Sequence, residues 1–228
     1  MEQKKEEKMS KTIDTKINEG RSYRDMKNFE VRSVSEGESD AKIAEGYATT
    51  FDEAYELGQW DDWDGYRVIL KEKIARSAFD ETDMNDVIMQ YNHEGRVFAR
   101  TSNNTLTLTV DNHGLRVSAD LGGTEIGRNL YEEIKGGYTN RMSFGFTVSS
   151  DERVEAKDNE NKIRTITRTI TGIKKLYDVS AVSIPANDGT EISARSWCDG
   201  VIAELTEEHR KAEDRAKQKQ KIKLLMEV

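Results

Sequence analysis

The chain has 228 residues, 35% hydrophobic and 34% charged, with a formal net charge of −8 from 35 basic and 43 acidic side chains. That length suits one ordinary domain plus tails, and the acidity of its body argues against a general electrostatic grip on nucleic acid. One cysteine, Cys198, excludes a disulfide framework within the chain. With no signal-peptide core near Met1 and no membrane-length apolar window, a soluble protein of a reducing, intracellular compartment is expected.

Residues 1–40 are rich in Lys, Glu, Ser and Asp and read as a flexible leader, with one short strand at 29–34. From Lys42 the pattern changes. Runs at 43–51, 66–70, 87–91 and 97–100 have the β-branched and aromatic content of strands. Runs at 106–110 and 115–118 do too, joined by a hairpin turn at Asp111, Asn112, His113 and Gly114. A helix follows: Thr124 caps it, Ile126, Leu130, Tyr131 and Ile134 share one face, and Gly136 and Gly137 stop it.

A strand at 139–148 comes next, then a charged loop at 151–162 and two strands at 163–171 and 174–184. Pro185, the only proline, ends the last of these by removing a backbone donor. From Val201 helix formers dominate, and basic residues slightly outnumber acidic ones. Leu205, Ala212 and Ala216 make a thin apolar stripe, which fits a solvated helix, with a docking helix as the alternative.

Three polar segments carry chemistry. In the 139–148 strand the two-residue period puts Met142, Phe144, Phe146 and Val148 on one face. Arg141, Ser143 and Gly145 share the other, so the Ser143 hydroxyl points away from the apolar layer, beside a glycine that admits close backbone approach. The alternative is an ordinary solvent-facing serine. His93 closes the 87–91 run at the mouth of a sheet, where it is either a base or a capping residue. His113 has a structural place in its turn and His209 lies in the charged tail, so His93 is the best base of the three histidines.

Asp178 lies in a strand apolar on both faces, a central position where a carboxylate needs a partner. Either an imidazole or a cation such as Lys174, Lys175 or an arginine could serve. Serine becomes a good nucleophile when a histidine takes its proton, and an acid fixes that histidine's tautomer. No metal is expected, because the residue four after His93 is Val97 and the chain has no Cys-x-x-Cys pair.

From about Ala44 to Ala194 the chain resembles the prohead (capsid-maturation) serine proteases of tailed bacteriophages, which are related in fold to the herpesvirus assembly protease. The carriers, in order, are Glu45-Gly46-Tyr47-Ala48, the 74–80 run ending Phe79-Asp80, Asn92-His93, and Asp111 with Gly114-Leu115. They continue with Met142-Ser143-Phe144-Gly145-Phe146, then Leu176, Asp178-Val179-Ser180 and Pro185-Ala186-Asn187.

The resemblance implies a mostly β domain with helices, built as a closed or partly closed antiparallel β-barrel of the herpesvirus-protease type. It implies His93 as general base, Ser143 as nucleophile and Asp178 as third member, where the family often has glutamate. Glu94 fills the family's acidic position after the histidine and is given no catalytic role. Arg141, on the strand face of Ser143, is a candidate supporting charge or a structural residue.

The expected domains are a leader at 1–40, a protease domain at 41–196 and a helical tail at 197–228 used in processing or shell incorporation. Expected substrates are the major capsid protein with its scaffold segment, and the chain's own termini, inside the immature prohead in the host cytoplasm. No cofactor, nucleic acid or membrane is expected, and the sequence sets no oligomeric state. The rival readings are a catalytically silent assembly module of the same fold and a nucleic-acid-binding barrel, the latter disfavoured by the acidic body.

Overall fold

In the computed structural model, residues 21–25, 32–34, 42–182 and 192–226 are described. The strands are β1 (Ser22–Asp25), β2 (Arg32–Val34), β3 (Ile43–Thr50), β4 (Tyr55–Asp61), β5 (Arg67–Ile74) and β6 (Ile88–Tyr91). They continue with β7 (Glu94–Arg100), β8 (Leu106–Val110), β9 (Gly114–Asp120), β10 (Arg141–Asp158) and β11 (Ile163–Val182). The helices are α1 (Glu125–Lys135) and α2 (Ile192–Met226).

A seven-stranded sheet runs in the order β1-β10-β11-β5-β4, with β6 also paired to β11 and carrying β7. A four-stranded sheet runs β2-β3-β9-β8. The architecture is therefore mixed α+β, mostly strand, and the larger sheet is mixed rather than purely antiparallel as expected. The reason lies along one edge of β11. There β5 and β6 follow each other in the same direction, both parallel to it, with an isolated bridge from Asp83 to Lys175 between them. Among the described residues no pairing closes either sheet into a ring.

The core lies between the two sheets. Ala44, Leu115, Val117 and Ala119 of the smaller sheet join Met142, Phe144, Phe146, Val179 and Ala181 of the larger, with Leu130 and Ile134 of α1. Phe144 and Phe146 stack at 4.5 Å between ring centroids. A second cluster joins Val68, Leu70 and Ile166 to Val201 and Leu205 of α2, with Cys198 packed against it. α2 is thus docked over Cys198 to Leu205, while residues 210–222 are exposed throughout.

Most predicted elements appear near their expected bounds. Thr124 caps α1 by accepting from the Gly127 N–H at 3.1 Å, and the Asp111 turn joins β8 to β9, with its Oδ1 accepting from the His113 and Gly114 amides. Three differences stand out. The charged loop expected at 151–162 is strand down to Asp158, because cross-strand ion pairs take the place of apolar alternation. Arg164 grips Glu155 through two contacts of 2.9 Å, and Arg153 reaches Glu204 of α2 at 2.8 Å. The two strands expected after 163 are one strand, β11, whose pairing absorbs register shifts against β10.

The third difference concerns the leader, in which β1 pairs with β10 and β2 with β3. The strand expected at 29–34 is described only over Arg32–Val34, and Pro185 and Ile184 lie outside the described residues. β4 carried no clear signal, its Gly58 and charged residues masking a half-exposed edge strand.

Along β5, Leu70 belongs to the second cluster and Ile74 to the first, and fully buried Glu72 stands between them. Arg24 of β1 meets it with a two-point contact, Nε to Oε1 at 2.5 Å and Nη2 to Oε2 at 3.0 Å. Arg168 adds a contact at 3.1 Å, Tyr55 donates its hydroxyl at 2.5 Å, and Asp151 pairs with Arg168 from the other side. A buried charge survives only when it is matched and hydrogen-bonded in this way.

Glu72→Ala removes the acceptor shared by two buried guanidinium groups, and should lower stability by about 3–5 kcal/mol in urea denaturation. Burial alone would raise the Glu72 carboxyl, but the charge and hydrogen bonds of Arg24, followed by Arg168, hold it below its ordinary 4.5. With the folded pKa below the unfolded one, its contribution is complete above pH 4.5 and is lost as pH falls through the acid range beneath that value. The urea midpoint should therefore decline over that range in the wild type, and less steeply in Glu72→Gln.

Candidate active site

Ser143 lies near the start of β10, between two partners: Asp25 of β1 on one side and Ser180 of β11 on the other. Two residues along, Gly145 faces Tyr23 of β1 and Asp178 of β11. The cross-strand register therefore sets Ser143, Ser180 and Asp178 on one face of the larger sheet, while Met142, Phe144 and Phe146 enter the core from the other. The apolar face is as expected. The other face is not open to solvent: residues 142–148 are all buried, and Ser143 has no exposed surface.

His93 reaches this face from the turn joining β6 to β7. Asn92 and His93 are both in the left-handed region, with φ of 50° and 60°, as the two central residues of a tight hairpin turn. Asparagine and histidine tolerate that region better than most residues, at a conformational cost of about 1 kcal/mol or more each. The hairpin is fixed at its base, where Arg100 grips Asp86 at 2.6 and 2.7 Å and Val87 exchanges hydrogen bonds with Thr101. The Arg100 hydrogen bonds, with help from Ser102, lower the Asp86 carboxyl to about 2. At the turn, the Asn92 N–H donates to the Ala181 carbonyl and the His93 N–H to the Ser180 hydroxyl, both at 3.1 Å.

This placement brings together the three residues singled out from sequence. His93 Nε2 is 2.6 Å from Ser143 Oγ, and His93 Nδ1 is in hydrogen-bond contact with Asp178 Oδ1. Asp178 is almost wholly buried and meets the His93 ring and Ser180; of the lysines weighed as partners, Lys175 pairs with Asp83 at 3.0 Å and Lys174 is exposed. A carboxylate on Nδ1 holds the proton there and leaves Nε2 as the acceptor facing the serine.

Ser180 is a member of this cluster that sequence reasoning left without a role. Its hydroxyl donates to Asp178 Oδ1 at 3.2 Å while accepting from the His93 amide, so it ties the acid to the turn. The signal was the two-residue spacing from Asp178, which places both side chains on one face.

Arg141 is half-buried, on the strand face of Ser143, with no ion-pair partner among the described residues. Glu94 is exposed, His113 packs edge-on against Tyr47 at 4.7 Å, and His209 lies 4.8 Å from the Trp63 ring. Among the described residues no group of His, Cys, Asp and Glu could hold a metal ion, and no helix is long and apolar enough to cross a membrane.

The model of the caudovirus prohead serine protease family matches residues 27–200. The chain belongs to that family. The protease is accordingly a peptide hydrolase of tailed-phage capsid maturation, whose family acts within the prohead on capsid proteins. No curated protein and no solved structure matches the chain.

Ser180→Ala takes one hydrogen bond from the buried Asp178 carboxylate and the acceptor from the His93 amide. Stability should fall by about 1–2 kcal/mol in urea. The His93 amide should exchange with solvent deuterium faster, while amides of the β3–β9 pair are unchanged.

Proposed function

We propose that the protease cleaves peptide bonds by acyl-enzyme chemistry, with Ser143 as nucleophile, His93 as general base and acid, and Asp178 as the acid that orients His93. The observation that carries this reading is the continuous contact from Asp178 through the His93 ring to Ser143 Oγ. His93 Nε2 takes the Ser143 proton as Oγ bonds to the substrate carbonyl carbon. The same proton passes to the leaving nitrogen as the C–N bond breaks. Water then gives a proton to His93, its oxygen bonds to the acyl carbon, and the Ser143 ester is released with the proton returned to Oγ.

Arg141 is proposed as a supporting charge on the side of the developing oxyanion, because it lies two residues from Ser143 on the same strand face. Electrostatic stabilisation of that kind is often worth about 10²–10³ in rate when a donor contacts the oxyanion directly, and less at one remove. Arg141→Ala should therefore lower kcat by no more than about tenfold and leave acylation measurable.

The proposed substrates are the major capsid protein with its scaffold segment, and the protease's own terminal segments. The leader at 1–40, the body at 41–196 and the helical tail at 197–228 are proposed as the functional division. The kinship to the herpesvirus assembly protease read from sequence makes a barrel of that type the reference for the two-sheet core.

Co-expression with the matching capsid protein tests function and nucleophile together. Wild type should trim the capsid subunit, seen as a mass shift, and Ser143→Ala should leave it intact. A serine-directed fluorophosphonate should label the wild type and not Ser143→Ala. Equal labelling of the two, or none of either with an untrimmed capsid protein, favours the silent assembly module instead. Asp178→Asn should keep the fold and lower kcat by about 10⁴, as expected when the histidine loses its orienting carboxylate.

A further inference from the structure

A protease acting on protein chains needs its nucleophile open to an extended peptide, yet Ser143 is sealed. The cover is β1, which adds to the edge of β10 antiparallel, in the manner of a peptide recognised by strand addition. Its Arg24 carbonyl oxygen lies 2.9 Å from Ser143 Oγ, the same hydroxyl that contacts His93. One hydroxyl proton serves one acceptor, so the Arg24 carbonyl competes with His93 for it. β1 also precedes the stretch matched by the family model, residues 27–200.

The residue whose carbonyl meets the nucleophile is the one that precedes a scissile bond. Here that residue is arginine, and its side chain is not left at the surface. It is 99% buried, given a 1% exposure, and ends on fully buried Glu72 in the two-point geometry a guanidinium makes with a carboxylate. Tyr55 and Arg168 fix the Glu72 oxygens from other sides, so the carboxylate is held in place independently of Arg24.

We propose that the space Arg24 occupies against Glu72 is the protease's specificity pocket, that it takes an arginine side chain from the residue preceding the scissile bond, and that Arg24 fills it as the chain's own occupant. This rests on Ser143 being the nucleophile. The leader strand then acts as a tethered pseudosubstrate: it presents the carbonyl oxygen rather than the carbon to Ser143, which blocks the site until β1 leaves the β10 edge. A substrate strand takes the vacated edge with its arginine in the same place.

The test uses the full chain and a fluorophosphonate that reports access to Ser143. Arg24→Ala should be labelled about tenfold or more faster than wild type, as the open fraction rises. A peptide of residues 19–28 should slow labelling of Arg24→Ala, or be cut after its second arginine, and the same peptide carrying Arg24→Ala should do neither. If Arg24→Ala lacks a native near-ultraviolet circular dichroism spectrum, Arg24→Lys is used. It keeps the charge without the planar fork and should show a smaller gain.

Labelling of a folded Arg24 variant at the wild-type rate, or equal behaviour of the two peptides, overturns the proposal. Failure of every chain to label overturns it as well. Capsid trimming in co-expression then shows whether the serine-protease mechanism falls with it.

Discussion

Ser143 and Ser180 face each other across β10 and β11, and that register governs the site. A slip of one residue would turn Asp178 and Ser180 to the opposite face, into the apolar layer of Phe144 and Val179, and leave His93 with neither its acid nor its turn contact. Several observations read as devices that hold the register. The long β10–β11 pairing extends far beyond the site. Its outer half is stitched by Glu155–Arg164 and Asp151–Arg168, and α2 is clamped on through Arg153–Glu204. Burial of Phe144 and Phe146 against the smaller sheet fixes which face is inward.

Burying charge is unfavourable unless each group is answered, and this protein does so twice within one sheet. Asp178 is answered by the His93 ring and the Ser180 hydroxyl. Glu72 is answered by Arg24, Arg168 and Tyr55. The second cluster joins strands distant in sequence, β1, β4, β5 and β11, at the place where the two apolar clusters meet. Replacing such groups with well-packed apolar ones is often neutral or stabilising. Their presence in the middle of a core is therefore better explained by recognition or positioning than by strength alone.

Much of the site was legible in the residues because its signals are local. The apolar alternation of Met142, Phe144 and Phe146 fixed the face of Ser143, and the apolar surroundings of Asp178 marked a central strand. What was not legible depends on tertiary pairing. The burial of Ser143 comes from β1, whose residues look like the rest of a charged leader until they add to an edge. Six of the eight residues at 151–158 are charged, and the strand is held by partners on β11 and α2 that no local pattern reveals. The parallel pairing of β5 and β6 along one edge of β11 is likewise a matter of chain path. The barrel expectation was drawn from resemblance and rests on no local residue pattern; among the described residues no pairing closes either sheet.

The far half of α2 has a physical consequence of its own. Between Arg210 and Ile222 every residue is exposed, and at 1.5 Å per residue this stretch is a rod of about 20 Å standing off the fold. Its support is limited to pairs such as Glu213 with Lys217, each worth a few tenths of a kcal/mol at most. An isolated helix of that length would be marginal in water. What carries the stretch as helix is its continuity with the turns seated by Val201 and Leu205, so it acts as a tether whose helicity, and hence reach, depends on temperature and salt.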